Sequence, residues 1–439
     1  MISTSGEETL NRFHWKIQAL GGLPLLLLAV DFSVVTFALA QLVGVWNLSP
    51  FQTSTIAVAA AVGSLFGGVF FGNIADRIGR RLTIQITLLT MTVGTGLGAI
   101  SWDFISLSAF QFIVGLGMGG TTPIASTFVG EFAPAKYRGM LSSGVDVFWT
   151  AGLLLAAIVS SQILPGFGWR MAFVFGAVPG LLILVQRRLM PESPRCLIAQ
   201  GKHEEAQRFL LQVKEKYGLN YDHLATQPTH KNRGLLASLR ELWSGPLIRR
   251  TACTCLLWFV MVYTYNGIFV FLPTLLTAGG LGISDTMQYM FILLVPQLPA
   301  ALGASLLVDV IGRKRLLVPV MLICGVASYM FSGATSSATV LFWGCLISAS
   351  LGAGYAIMLC YTSELFPTRL RGTGAGSASA FGRVGAIVVP GAIAFLVGSW
   401  SAGHESVFLM FAAVMLVGAL GVAILGEETM GRTLEQISS

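Results

Sequence analysis

Long apolar runs, each nearly free of charge, alternate along the chain with short polar segments. Twelve such runs lie near 18–45, 53–75, 82–100, 104–130, 140–163, 168–188, 251–276, 286–311, 316–334, 338–362, 373–397 and 405–426. Each approaches the roughly 20 residues a helix needs to cross a bilayer. Leu316 to Gly333 shows the type, with no charge in its length. Barrel strands alternate apolar and polar positions over short segments, and these runs do not, so the pattern predicts an all-α membrane protein with twelve transmembrane helices. The first run is too long for the apolar core of a signal peptide and lacks a small-residue cleavage site after it, so it is expected to stay as the first span. Residues 189–248 form the one long polar stretch. Within it, Ala206, Phe209, Leu210 and Val213 fall at i, i+3, i+4 and i+7, one face of a short amphipathic helix. That helix is expected along one end of the bundle; a mobile linker is the alternative.

Composition narrows the class. Of 439 residues, 54% are apolar and 11% charged, against about 25% charged in soluble domains. A soluble enzyme, a disordered chain and a secreted disulfide scaffold are excluded. The net charge of +7 reports topology. One set of loops holds nearly all the basic residues, while the opposite set carries Arg170 beside Asp103, Asp285 and Glu405. By the positive-inside rule both termini are expected in the cytoplasm, with the protein in the inner membrane, and no nucleic-acid partner is implied. Five of the six cysteines fall inside runs and read as small packing residues; only Cys196 lies outside them. The five histidines sit at ends or in loops without metal-ligand spacing. No phosphate-cradling loop is present. No catalytic, metal or cofactor site is expected, and the chain is not read as an enzyme.

A repeat organises the runs. Asp76-Arg77-Ile78-Gly79-Arg80-Arg81 recurs as Asp309-Val310-Ile311-Gly312-Arg313-Lys314, and Glu131-Phe132-Ala133-Pro134 recurs as Glu364-Leu365-Phe366-Pro367, both 233 residues on. Two motifs at one offset imply two six-helix halves, and an even number of spans makes them parallel repeats about an axis along the membrane normal. The expected divisions are a cytoplasmic segment 1–17, a bundle 18–188, a linker 189–248, a second bundle 249–426 and a cytoplasmic tail 427–439.

These residues resemble the major facilitator superfamily over essentially the whole chain. Gly72 to Arg81 is similar to its loop 2–3 signature; Pro191-Glu192-Ser193-Pro194-Arg195 and Glu428-Thr429-Met430-Gly431-Arg432-Thr433-Leu434 are similar to those of its sugar-porter-like branch. Arg12-Phe13-His14, Asp146-Val147-Phe148-Trp149, Tyr361 to Thr368 and Phe381 to Ile387 resemble bacterial metabolite:proton symporters of the nicotinate-transporter type. The resemblance implies a monomeric secondary transporter of a small organic anion, nicotinate or a related aromatic acid, with protons as the coupling ion. Other members carry sugars or organic ions, so a uniporter of a neutral metabolite, an exporter of organic cations, and a non-transporting sensor on the same fold stay open. Three departures bear on coupling. The subgroup's first helix has Asp-x-x-Asp where this chain has Leu28 and Asp31. Its fourth helix begins the glycine motif with Arg where Gln111 stands, and often follows the glycine pair with an acid where Thr121 stands. Two acids and a base are neutral in one half, which fits the cost of leaving buried charges unpaired.

Ionisable residues within the runs point to the transport site, since each is costly in lipid and faces a cavity as a rule. Asp31 and Arg383 fall near the middle of their runs and Asp146 nearer one end. Arg383 reads as a bidentate clamp on a carboxylate, or as half of a structural ion pair between the halves. Asp31 and Asp146 are the candidate proton carriers, with Asp31 also a polar anchor for solute. Trp149, Tyr265, Asn266, Gln297 and Tyr355 complete a site where an aromatic ring stacks. The repeated charges read as a cytoplasmic gate: Asp76 with Arg138 and Asp309 with Arg371, networked through Glu131 and Glu364, with Arg80 and Arg313 beside them serving the gate or topology alone.

Overall fold

The computed structural model describes residues 10–177, 180, 182–219, 234–245, 247–278, 291–334, 336–399 and 404–431. The start of the eighth run at 286–290, linker residues 220–233 and the tail beyond 431 lie outside the described residues.

Four long helices open the chain: α1 (Arg12–Val45), α2 (Pro50–Ile78), α3 (Arg80–Gly98) and α4 (Phe104–Phe132). The short α5 (Arg138–Ser143) leads into α6 (Val145–Ala177), followed by α7 (Leu182–Leu189). The polar stretch holds α8 (Pro194–Ala199), α9 (His203–Tyr217) and α10 (Leu235–Leu242). The second set of long helices is α11 (Leu247–Ala278), α12 (Gln297–Ile311), α13 (Arg313–Ser332), α14 (Ser337–Leu365), α15 (Arg371–Ser399) and α16 (His404–Leu425). Among the described residues ten helices are long and apolar enough to cross a membrane. The third and sixth runs are the two outside that set. The third is helical as α3 but rich in threonine. The sixth is described in two pieces, Trp169 to Ala177 and α7, and joins the fifth within α6. Gly168 makes that join, at φ 76° and ψ 171°, a backbone region that glycine enters without a Cβ penalty.

Helix starts are satisfied in two ways. α2, α4 and α14 are capped by their own Ser49, Asp103 and Ser336, each accepting from an amide three residues on. α3 and α13, which start at the opposite end, follow Gly79 (φ 110°) and Gly312 (φ 107°) and have no such cap. Their amides are satisfied from elsewhere in the chain, as described below.

Glycine seams set the spacing of the helices. A Cβ on Gly115 of α4 would meet the Ala60 carbonyl oxygen of α2 at 2.0 Å. A second seam joins the halves along α2 and α15: a Cβ on Gly376 would meet the Gly68 carbonyl oxygen at 2.0 Å, and one on Gly72 that of Gly372 at 2.3 Å. Backbones touch there, as small residues permit. α9 lies on the bundle with Ala206, Leu210 and Val213 buried. Its Phe209 ring contacts Phe132 of α4 at 6.0 Å, and Tyr217 contacts Phe13 of α1 at 5.1 Å.

The α2–α15 seam yields a prediction. Gly376→Leu places a side chain where the Gly68 carbonyl stands, and overpacking of this kind costs about 1–3 kcal/mol. Uptake is expected to fall about tenfold or more at unchanged membrane insertion; a wild-type rate would show that transport does not need this close approach.

Candidate functional site

A cavity of about 50 Å³ lies between the halves. A water needs roughly 10–15 Å³, so it has room for a few waters or one small ring. Asp146 and Trp149 of α6 line one side; Tyr265 and Asn266 of α11, Tyr355 of α14 and Arg383 of α15 line the other. The Tyr265 and Tyr355 rings meet edge to face at 5.3 Å, and the Tyr265 hydroxyl stands beside Trp149 and Gln297. Trp149 in turn lies 6.0 Å from Phe32. The wall is therefore aromatic, with few polar groups, as in small-molecule sites generally.

Two of those polar groups are ionisable, and neither has an ion pair or hydrogen bond among the described residues. Arg383 makes no ion pair or hydrogen bond among the described residues, and its Nε is buried without a partner. Asp146 is 4% exposed, and its carboxylate has no hydrogen-bond or ion-pair partner among the described residues. Neither Asp146 nor Asp31 comes within ion-pair distance of Arg383, so the alternative of a structural pair between the halves is not what the chain adopts. A guanidinium left unpaired beside an aromatic cavity is placed to receive an anion.

Asp31 and Gln297, expected among the site residues, stand behind the wall. Asp31 is 1% exposed; its Oδ1 accepts from Thr95 Oγ1 of α3 at 2.7 Å, and its Oδ2 has no partner. Phe32 faces the cavity, and one residue along a helix turns the side chain by about 100°, which aims Asp31 into its own half. Gln297, also 1% exposed, packs on Gly352 of α14, where a Cβ would meet its backbone oxygen at 2.9 Å. Thr122 and Trp258 line the cavity without having been singled out. Trp258 carried a usable signal, lying two helical turns from Tyr265 on the same face. Its Nε1 donates to Thr362 Oγ1 at 2.9 Å. Thr121 packs among neutral hydroxyls, 3.0 Å from Thr87 Oγ1. Gln111 is buried with its Nε2 unpartnered.

The repeated charges converge at one end of the bundle, with a pairing that corrects the expected one. Asp76 accepts from the Gly372 amide at 3.0 Å, and from the Thr373 amide and hydroxyl at 2.7 and 2.8 Å. Asp309 accepts from the Gly139 and Met140 amides at 3.0 and 2.7 Å. Each carboxylate thus caps a helix of the opposite half, α15 or α5, with Arg371 and Arg138 the first residues of those helices. The expected pairs Asp76–Arg138 and Asp309–Arg371 lay within one half. The pseudo-twofold axis faces each loop toward the other half, and a helix N-terminus presents free amides and partial positive charge to an acid. Arg80 bridges Asp76 at 3.0 Å and Glu131 at 3.2 Å, and Glu131 also takes Arg371 of the other half at 3.2 Å. Arg313 bridges Asp309 and Glu364, each at 2.8 Å.

The uncapped starts of α3 and α13 complete this network. Glu192, from the Pro191–Arg195 motif, accepts from the Arg80 amide at 2.9 Å and the Arg81 amide at 3.2 Å. Glu428 accepts from Arg313 and Arg315 at 2.9 and 3.2 Å. A Cβ on Gly79 would meet Glu192 Oε2 at 2.3 Å, and one on Gly312 would meet Glu428 Oε2 at 2.6 Å. Arg195 Nε donates to the Glu131 carbonyl at 3.3 Å. Glu192, Arg195 and Glu428 stood in recognised motifs, but their partners were not legible there. Cys196 lies against the same cluster, 3.8 Å from Arg80, and burial pushes its thiol up to about 12.

Two parallel helical repeats that meet at a charged end, with an arginine on the wall of the cavity between them, have the architecture of a multi-pass membrane protein of the secondary-transporter class. The chain belongs to the family described as sugar (and other) transporter, whose model matches residues 13–439. It is 36% identical over 439 residues to the niacin transporter NiaP of Acinetobacter baylyi, covering 100% of this chain and 99% of that protein. It is 32% identical over 424 residues to the putative niacin/nicotinamide transporter NiaP of Bacillus subtilis, covering 96% and 98%. The structure of the proton:xylose symporter XylE bound to 6-bromo-6-deoxy-D-glucose shares the fold, with a TM-score of 0.82 at 21% identity over 97% of this chain and 98% of that one.

The network gives a second prediction. Glu131→Gln leaves Arg80 and Arg371 buried without their shared acid, and breaking a buried pair costs about 3–5 kcal/mol. In a variant whose other five cysteines are alanine, maleimide labelling of Cys196 is expected to speed up about tenfold or more. An unchanged rate would show that Glu131 does not hold this end shut.

Proposed function

We propose that the protein carries nicotinate or a related small aromatic carboxylate across the inner membrane by alternating access. In this reading it acts as a monomer, with both termini and the charged end in the cytoplasm. The observation that carries the reading is Arg383, a guanidinium without a partner among the described residues, beside a cavity walled by Trp149, Tyr265 and Tyr355. A carboxylate takes two parallel bonds from such a group, and the ring packs against the aromatics. The niacin named for two relatives is a solute of this chemistry. The network at the charged end is the gate: its contacts cross between halves, so opening that end requires breaking them. A second reading, export of an organic cation, draws on Asp146 facing the same cavity. Cation binding that survives in Arg383→Ala and is lost in Asp146→Leu would establish it.

Removing the clamp is expected to cost about 2–5 kcal/mol of binding, so Arg383→Ala weakens nicotinate about thirtyfold or more by calorimetry on purified protein. Unaltered affinity refutes the clamp. Protons are the proposed coupling ion, with Asp31 the carrier, because it sits near the cavity yet out of contact with the solute. Asp31→Asn is then expected to abolish uptake driven by an acid-outside gradient in proteoliposomes while solute exchange continues. Gradient-driven accumulation at the wild-type level would remove Asp31 from coupling.

A further inference from the structure

The cavity has one acid and one base on its wall, and they come from different halves. Asp146 belongs to α6 and Arg383 to α15. They are not within ion-pair distance of each other, and neither has another partner among the described residues. Tyr265 and Tyr355 line the same cavity, their rings edge to face at 5.3 Å. A carboxylate alone would satisfy Arg383 and leave Asp146 facing an apolar ring edge. Asn266, the amide beside them, donates one of its two Nδ2 hydrogens to the Val262 carbonyl at 2.9 Å.

We propose that Asp146 reads a ring nitrogen of the solute while Arg383 holds its carboxylate. The ligand class is a flat ring with a carboxylate on one edge and a basic or protonated nitrogen on another, which names the discriminating half of the site proposed above and rests on that reading. One proton serves the contact. It sits on the Asp146 carboxyl and is donated to a neutral ring nitrogen, or it sits on the nitrogen and is donated to the carboxylate; no bond breaks either way. A dipolar solute then neutralises both walls. Benzoate has the ring and the carboxylate without the nitrogen, and a site built to hydrogen-bond a group rejects the analogue that lacks it.

Equilibrium binding of nicotinate and benzoate to the purified full-length protein tests this. A hydrogen bond to a charged group corresponds to about a ten- to hundredfold difference, and wild-type protein is expected to prefer nicotinate by that factor. Asp146→Leu, close in shape but without polar atoms, is expected to weaken nicotinate to the benzoate level and leave benzoate within about twofold. Asp146→Asn keeps a donor and an acceptor and is expected to retain most of the preference. Equal binding of the two acids by wild-type protein overturns the assignment without any variant, as does an Asp146→Leu protein that weakens both acids alike or still prefers nicotinate. Binding of neither acid by wild-type protein would instead remove the anion-transport reading itself.

Discussion

Two carboxylates, each seated on backbone amides of the opposite half, join the halves at one end of this molecule. Asp76 reaches the first turn of α15, and Asp309 reaches the first turn of α5. Each acid also pairs with an arginine of its own half, Arg80 or Arg313, and the amides complete its seat. A helix start has amides without intrahelical acceptors, and a buried acid needs donors to offset lost hydration. Each supplies what the other lacks only when the halves are in contact. Arg80, Glu131 and Arg371 extend the same logic sideways, since Glu131 accepts from an arginine of each half. The glycine seam of α2 and α15 is the geometric condition for all of it, because any side chain at Gly72 or Gly376 would hold the amides out of reach.

The cavity follows the opposite rule. At the charged end the acids and bases find one another; in the cavity Asp146 and Arg383 do not, although both are largely removed from water. The contrast separates charges that meet across or beside the interface from charges left facing the cavity, to which the proposed reading gives the solute. It also gives the neutral residues in the first half a meaning. Leu28, Gln111 and Thr121 themselves add no charge to compete for Arg383 or Asp146. Asp31, turned inward and bonded to Thr95, leaves the wall to them.

Much of this was legible in the chain. The apolar runs report helices because crossing a bilayer imposes length and hydropathy locally, and the constant spacing of the Asp76 and Glu131 motifs reports the repeat. Arg383, Asp146, Trp149, Tyr265, Asn266 and Tyr355 were recognisable as charges or aromatics set in apolar surroundings, and the cavity gathers all six. What was not legible depended on rotation or on the other half. Asp31 and Gln297 differ from the lining residues by helical phase, which run boundaries do not resolve. The crossed seats of Asp76 and Asp309 are a property of the twofold axis, and nothing local distinguishes a neighbour in the same half from its counterpart across the interface. The break between the fifth and sixth runs, read between 163 and 168, is a turn at Gly168 alone, made by one glycine at positive φ without any polar interval.

Glu192 and Glu428 make one more point about how the halves are related. Each ties the chain's exit from a six-helix set back to the start of that set's third helix, so each half is laced shut independently of the other. Yet the two glutamates are 236 residues apart, while the motifs they serve are 233 apart. The contact has survived a slip of three residues between the copies. What the halves hold in common here is a place for a carboxylate in space, reached by chain segments of different length, and aligning the copies at constant offset passes that kinship by.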